Sequence, residues 1–152
     1  MSVQAVLDTS VLVYTQDADE LPKHERAIEL MDALQEMQVA ALTTQVLGEY
    51  FTTVTRRFRD TMDIHAAEAQ VADLASSFPI LDTTVTVVLE AARGVVRYQM
   101  SYYDAQIWAA ARLNGISLVL SEDFQDGREV EGVRFANPFA EGFDLEHVLG
   151  DG

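Results

Sequence analysis

Cysteine is absent from the chain. Disulfide scaffolds, thiolate zinc sites and cysteine nucleophiles are therefore excluded, and a reducing compartment fits. Positive charge is scarce: 10 Lys+Arg face 25 Asp+Glu, a formal net charge of −15. That balance argues against broad adhesion to DNA, RNA or anionic membrane, although it leaves room for a local nucleic-acid site. Lysine is nearly missing, Lys23 being the only one. Arginine dominance with abundant acid fits either a salt-rich cytoplasm or an arginine-biased genome. His24, His65 and His147 show no metal-ligand spacing, and neither Ser10 nor Ser121 has a histidine placed to complete a serine-hydrolase triad. The 8 glycines are dispersed, so there is no phosphate loop and no dinucleotide fingerprint. No run approaches the ~20 apolar residues of a membrane helix. The first residues lack the basic start and apolar stretch of a signal peptide. The expectation is a soluble, cytoplasmic protein with no membrane partner.

What is present suits one folded domain: 152 residues, 49% of them hydrophobic. Short β-like runs alternate with helical patterns, which predicts an α/β fold with a central parallel β-sheet. Residues 3–7 form a buried strand candidate ending at Asp8, with further strands at 39–42, 79–81, 117–120 and 133–136. Helices are predicted over 23–37, from Thr43 or Thr44 through Phe58, from Asp63 to Phe78, over 84–99 and over 102–113. In the 84–99 helix, Val85, Val88, Leu89, Ala92 and Val96 share a stripe, read as its core face. Asn114-Gly115 is a helix stop. The domain is expected to span 1–139, with 140–152 as a loop-like C-terminal tail carrying a short turn near Leu145.

Ligands of an open parallel sheet sit beyond the carboxyl ends of its strands. Asp8 follows the first strand, Asp123 follows the strand at 117–120, Asp104 opens the helix that feeds that strand, and Glu49 lies early in the helix after the second strand. These acids can therefore meet at one sheet edge. Clustered carboxylates resist joint ionisation, and a divalent cation removes that cost. Hard oxygen donors without cysteine favour Mg²⁺ or Mn²⁺, and the implied chemistry is metal-assisted phosphodiester hydrolysis. Each acid has a plainer role open to it. Asp8 can be a helix cap, Asp104 can complete a capping box with Ser101, and Glu49 can be a solvated residue opposite the Leu47, Phe51 and Val54 stripe. Arg56, Arg57 and Arg59 follow Glu49 and suit either RNA phosphates or an ordinary solvated helix end.

Four separated segments together resemble the PIN domain family, the metal-dependent ribonuclease fold that includes the VapC toxins. Val6-Leu7-Asp8-Thr9-Ser10-Val11-Leu12-Val13-Tyr14 is similar to the family's opening strand and first acid. Leu47-Gly48-Glu49-Tyr50-Phe51 is similar to its helical glutamate segment, and Ser101-Tyr102-Tyr103-Asp104-Ala105-Gln106-Ile107 to its third acid and helix. Leu118-Val119-Leu120-Ser121-Glu122-Asp123, followed by Asn137-Pro138-Phe139, is similar to its closing region. The resemblance implies a three-layer α/β/α domain with an acidic pocket for one or two Mg²⁺ or Mn²⁺ ions. It implies Asp8, Glu49, Asp104 and Asp123 as catalytic acids, and Asp8, Asp104, Asp123 and the adjacent Glu122 as metal ligands. Ser10 and Ser121 take positions beside the first and last acids and, with Arg56 and Arg57, would contact substrate.

The function these features imply is a metal-dependent endoribonuclease, the toxin of a type II toxin–antitoxin pair, acting on an RNA substrate with an antitoxin partner and as a homodimer. The alternative is a catalytically inactive interaction module of the same fold. A phosphoaspartyl enzyme built on Asp8 is disfavoured, because Ser10 stands where a second Asp is needed and Lys23 is the only lysine.

Overall fold

The structure is a computed structural model that describes residues 2–150 of the chain. Its elements are β1 (Ala5–Leu7), α1 (Thr9–Tyr14), α2 (Leu21–Met37), β2 (Ala40–Thr43), α3 (Thr44–Arg57), α4 (Ile64–Ser77), β3 (Ile80–Leu81), α5 (Val85–Tyr98), α6 (Tyr102–Leu113), β4 (Leu118–Leu120), β5 (Glu129–Val130), β6 (Val133–Ala136) and α7 (Leu145–Gly150). The six strands form one sheet in the order β3-β2-β1-β4-β6-β5. All neighbours are parallel except β5, which pairs antiparallel with β6 as a short hairpin. Helices flank the sheet in an α/β/α arrangement. The sequence pattern gave no sign of β5, a two-residue strand with a single buried position.

Strands β1, β2 and β4 are buried on both faces, which is why they read as continuous apolar runs rather than alternating ones. Side-chain caps set the helix starts. Asp8 caps α1, Thr43 caps α3, Asp63 caps α4, Thr84 caps α5 and Ser101 caps α6. Helix α6 is the central helix, with every residue from Ala105 to Ala111 buried. Trp108 is fully buried there, and its indole N–H donates to the Val130 carbonyl at 3.0 Å. Gly94 of α5 faces it, because a Cβ at that position would lie 2.8 Å from the Trp108 ring.

The apolar stripe expected to bury α5 does not do so. Val85, Leu89 and Val96 are 75%, 67% and 84% exposed, while Val87, Ala91 and Gly94 make the buried face. The small residues of that face let α5 settle onto α6, and the larger valines and leucine are left outside. The C-terminal segment is tied down as well. Leu149 of α7 is buried, and Arg134 donates to the Val148 carbonyl at 2.8 Å.

Candidate functional site

Parallel pairing puts the carboxyl ends of β1, β2 and β4 on one edge of the sheet. Asp8 leaves β1 at that edge and is held on three sides. Its N–H donates to the Leu120 carbonyl at 3.0 Å, Oδ1 accepts the Thr9 N–H at 2.7 Å and Oδ2 accepts the Ser121 hydroxyl at 2.7 Å. Ser121, buried just past β4, also accepts the Asp123 N–H at 3.2 Å. One hydroxyl therefore links the acid after β1 to the acid after β4.

Asp104 lies in the first turn of α6. The Ser101 hydroxyl accepts the Asp104 N–H at 3.3 Å, but the reciprocal bond of a capping box, from the Ser101 N–H to the Asp104 carboxylate, does not form. The carboxylate is thus left available to the site. Burial pushes the Asp8 carboxyl up to about 6, the hydrogen bonds from Ser121 and Thr9 oppose that rise, and the charges of Asp123 and Asp104 add to it. Asp123 is also raised, first by burial and then by the charges of Asp104 and Glu122. Asp8, Asp104 and Asp123 therefore share one electrostatic field, with origins far apart in the chain.

The other two acids differ in their surroundings. Glu122 is held by the Tyr14 hydroxyl at 2.9 Å and by the Lys23 ammonium at 2.9 Å, the latter an ion pair without a directed hydrogen bond. The chain's only lysine offsets part of its charge, the remainder of which still acts on Asp123. Glu49 is half-buried on α3, in an open hollow of about 360 Å³ that it shares with Thr44, Gln45, Gly48, Thr52, Thr53 and Arg56. It is not among the charges that act on Asp8 or Asp123.

The expected substrate residues divide in the same way. Arg56 lines the Glu49 hollow. Arg57 instead donates to the buried Asp17 at 2.9 Å, which gives it a structural task. The Ser121 hydroxyl is occupied by Asp8, whereas the Ser10 Oγ and Thr9 Oγ1 beside Asp8 are buried without a hydrogen-bond partner. The Lys23–Glu122–Tyr14 and Arg57–Asp17 contacts carry no signal in sequence, since their members lie far apart and match no spacing rule.

Among the described residues, no group of three or more His, Asp or Glu side chains closes around a point fit to hold a metal ion. The chemistry of the donor set still fits a hard cation. Three carboxylates and orphaned hydroxyls offer only oxygen, and a divalent ion would offset the burial cost and the added repulsion that raise Asp8 and Asp123. A cavity of about 260 Å³ among α1 to α4, lined by Leu12, Met31, Asp32, Tyr50, Leu74 and Phe78 among others, contains none of these acids.

Comparison with known proteins matches residues 5–127 to the PIN domain. No curated protein matches the chain. Among solved structures, the chain is similar to VapC20 of Mycobacterium tuberculosis, described as a sarcin–ricin loop cleaving toxin, with 25% identity and a TM-score of 0.67 over 84% of this chain and 98% of that one. It shares its fold with a toxin–antitoxin complex from Klebsiella pneumoniae, at 18% identity and a TM-score of 0.63 over 89% of this chain and 98% of that one. It also shares its fold with DNA-bound VapBC from Salmonella typhimurium, at 16% identity and a TM-score of 0.63 over 90% of this chain and 98% of that one.

Proposed function

Because this chain belongs to the PIN domain family, we propose that it is a metal-dependent endoribonuclease and the toxin of a type II toxin–antitoxin pair. The observation that carries this reading is the shared field of Asp8, Asp104 and Asp123 at the carboxyl edge of the sheet. Asp8, Asp104 and Asp123 would hold Mg²⁺ or Mn²⁺. Such an ion, when bound, supplies charge stabilisation of the phosphoryl group and acidification of the attacking water. The chain's own residues do the positioning. Ser121 and the Thr9 N–H fix both oxygens of Asp8. Glu49, half-buried outside the aspartate cluster, would take a proton from water or orient it. Arg56 contacts a phosphate of the substrate.

The likeness to VapC20 and to toxin–antitoxin complexes supports an RNA substrate and an antitoxin protein partner. The exposed stripe of Val85, Leu89 and Val96 on α5 supports self-association as a homodimer, which light scattering of the purified protein tests. A cytoplasmic location remains part of the proposal and is tested by fractionation.

The decisive experiment incubates the purified protein with structured RNA in Mn²⁺ or Mg²⁺, from low to molar salt. Cleavage that chelation stops and Asp8→Asn abolishes, with the variant still folded, is the expected result. Failure to bind any divalent ion by calorimetry overturns the nuclease reading and leaves the interaction module. Growth arrest on expression, relieved by Asp104→Asn, tests the toxin assignment separately.

A further inference from the structure

Cations are few in this chain, 10 against 25 acids, and most of them are committed within the fold. Arg57, Arg93 and Arg112 pair with Asp17, Glu90 and Glu131. Arg26, Arg128 and Arg134 donate to the carbonyls of Pro138, Tyr98 and Val148. The single lysine stands apart. Lys23 lies in the first turn of α2, where a cation opposes the helix macrodipole, so its own helix does not account for it. Its ammonium instead reaches across to the segment after β4, 2.9 Å from Glu122, the residue before Asp123.

That ammonium is loosely committed. It can give three hydrogen bonds. One is made, to the Tyr14 hydroxyl at a long 3.4 Å. The ion pair with Glu122 has no aligned N–H, since the Glu122 Oε2 is without a hydrogen-bond partner and Oε1 is served by Tyr14 at 2.9 Å. Two of the three N–H groups therefore have no partner among the described residues, on a side chain that is 39% exposed. The stem is steadied all the same. The Lys23 Nζ lies 5.2 Å from the centre of the Tyr14 ring, which packs edge-on against Phe139.

The charge of Lys23 also reaches the aspartates. It acts on Asp123, against the rise imposed by burial, Asp104 and Glu122, and no arginine is among the charges that do so. The choice of lysine fits a further partner. An arginine fork closes bidentately on a carboxylate, whereas an ammonium is a compact point charge with rotatable donors that binds phosphate while keeping a second contact. A phosphodiester arriving at this edge meets Asp8, Asp104 and Asp123, and Lys23 is the cation beside them.

We propose that Lys23 is a substrate-binding residue of the aspartate edge. Its unpartnered N–H groups take a non-bridging oxygen of the RNA phosphate seated there, while Glu122 and Tyr14 hold the ammonium in place. This rests on the ribonuclease reading and adds to it a cation on the aspartate side of the site, distinct from Arg56 on α3.

The test uses the full chain carrying Asp8→Asn, so that bound RNA is not cleaved, in chelator, with a fluorescein-labelled single-stranded RNA read by anisotropy. Thermal unfolding establishes that each added variant is folded. Lys23→Met is expected to weaken binding about tenfold and to lower the slope of log affinity against log salt by about 0.7. Glu122→Gln breaks the ion pair but keeps the lysine, and is expected to bind RNA at least as tightly as its parent. Arg97→Met removes the same charge from α5, where Arg97 lies over the Tyr98 ring, and is expected to change binding by less than about twofold. If Lys23→Met binds as its parent does, the inference is wrong and the nuclease reading stands. If Lys23→Met and Glu122→Gln weaken binding alike, the lysine is a structural tie, and if Lys23→Met and Arg97→Met do so, the effect is one of net charge; either result overturns the inference. Where the Asp8→Asn protein binds too weakly to read but the unmodified chain cleaves RNA, the same three changes are compared by KM, and a KM unmoved by Lys23→Met overturns it equally. If the Asp8→Asn protein binds no RNA and the unmodified chain cleaves none, both readings fall together.

Discussion

Ser121 donates its hydroxyl to Asp8 across the β1–β4 pair, at 2.7 Å, from a fully buried position. The bond stabilises the charged form of Asp8 and opposes the rise that burial imposes. Ser121→Ala is expected to move the Asp8 carboxyl further up from about 6. It should also cost about 1–2 kcal/mol of stability at pH 7.5, where Asp8 is ionised and loses a buried donor. Carboxyl NMR titration reads the first effect and urea unfolding the second. An Asp8 titration indistinguishable from the parent's would show that the bond does not set its charge.

Asp8 gives the metal-free protein a stability profile opposite to that of a salt-bridged carboxylate. In the fold it holds its proton to about pH 6, whereas in the unfolded chain it ionises near 3.8. The native state therefore binds more protons across that window, and stability falls as pH rises from about 4 to about 6, then levels. Asp123, raised for the same reasons, adds a contribution of the same sign. Glu90 and Glu131, lowered first by their hydrogen bonds from Arg93, contribute with the opposite sign near pH 4–5, so the decline is read as the difference between the parent and Asp8→Asn in thermal unfolding with chelator across pH 4–7.5. Mn²⁺ should stabilise more at pH 7.5 than at pH 4.5, because it competes with protons for the same oxygens. A parent-minus-variant difference that rises through this window would refute the assignment.

Much of the frame is legible in the sequence, and the reasons are local. The helix at Tyr102–Leu113 has a serine cap before it and Asn114-Gly115 after it, with Gly115 at a φ of +70°. The strand at Val133–Ala136 carries Val133 and Phe135 in alternation, both buried. What escaped depended on contacts between distant residues. Apolar residues occur on both faces of α5, and only the fit of Ala91 and Gly94 against α6 decides which is buried. Glu122 and Asp123 are neighbours of the same charge type, and the partners that separate them, Tyr14 and Lys23, lie about a hundred residues earlier. Asp104 has the spacing of a capping box, yet only half of that box forms.

Arg57 pairs with Asp17, which is buried while the arginine head is half exposed. Arg57→Met leaves a buried carboxylate without its counterion. Solvent around the arginine reduces the full cost of breaking a buried pair, so a loss of about 1–2 kcal/mol is expected in urea unfolding. Adding Asp17→Asn should recover part of it, and Arg56→Met alone should leave stability unchanged within about 0.5 kcal/mol. RNA affinity should respond in the reverse order, weakly to Arg57→Met and clearly to Arg56→Met. Equal stability losses in both arginine variants would contradict the division of labour.

The two faces of α5 predict opposite outcomes from substitutions only five residues apart. Gly94→Ala drives a methyl to 2.8 Å from the Trp108 ring, and Trp108 is fully buried with its N–H fixed on Val130. The ring has little freedom to retreat, so overpacking should outweigh the gain in helix propensity and cost about 1–3 kcal/mol. Leu89, two-thirds exposed on the other face, should tolerate Leu89→Gln within about 0.5 kcal/mol as a monomer. Urea unfolding at low protein concentration compares the two without contribution from self-association, and near-ultraviolet circular dichroism reports the Trp108 environment directly. If Leu89→Gln proves the more damaging change under those conditions, α5 is turned the other way and the apolar stripe is core after all.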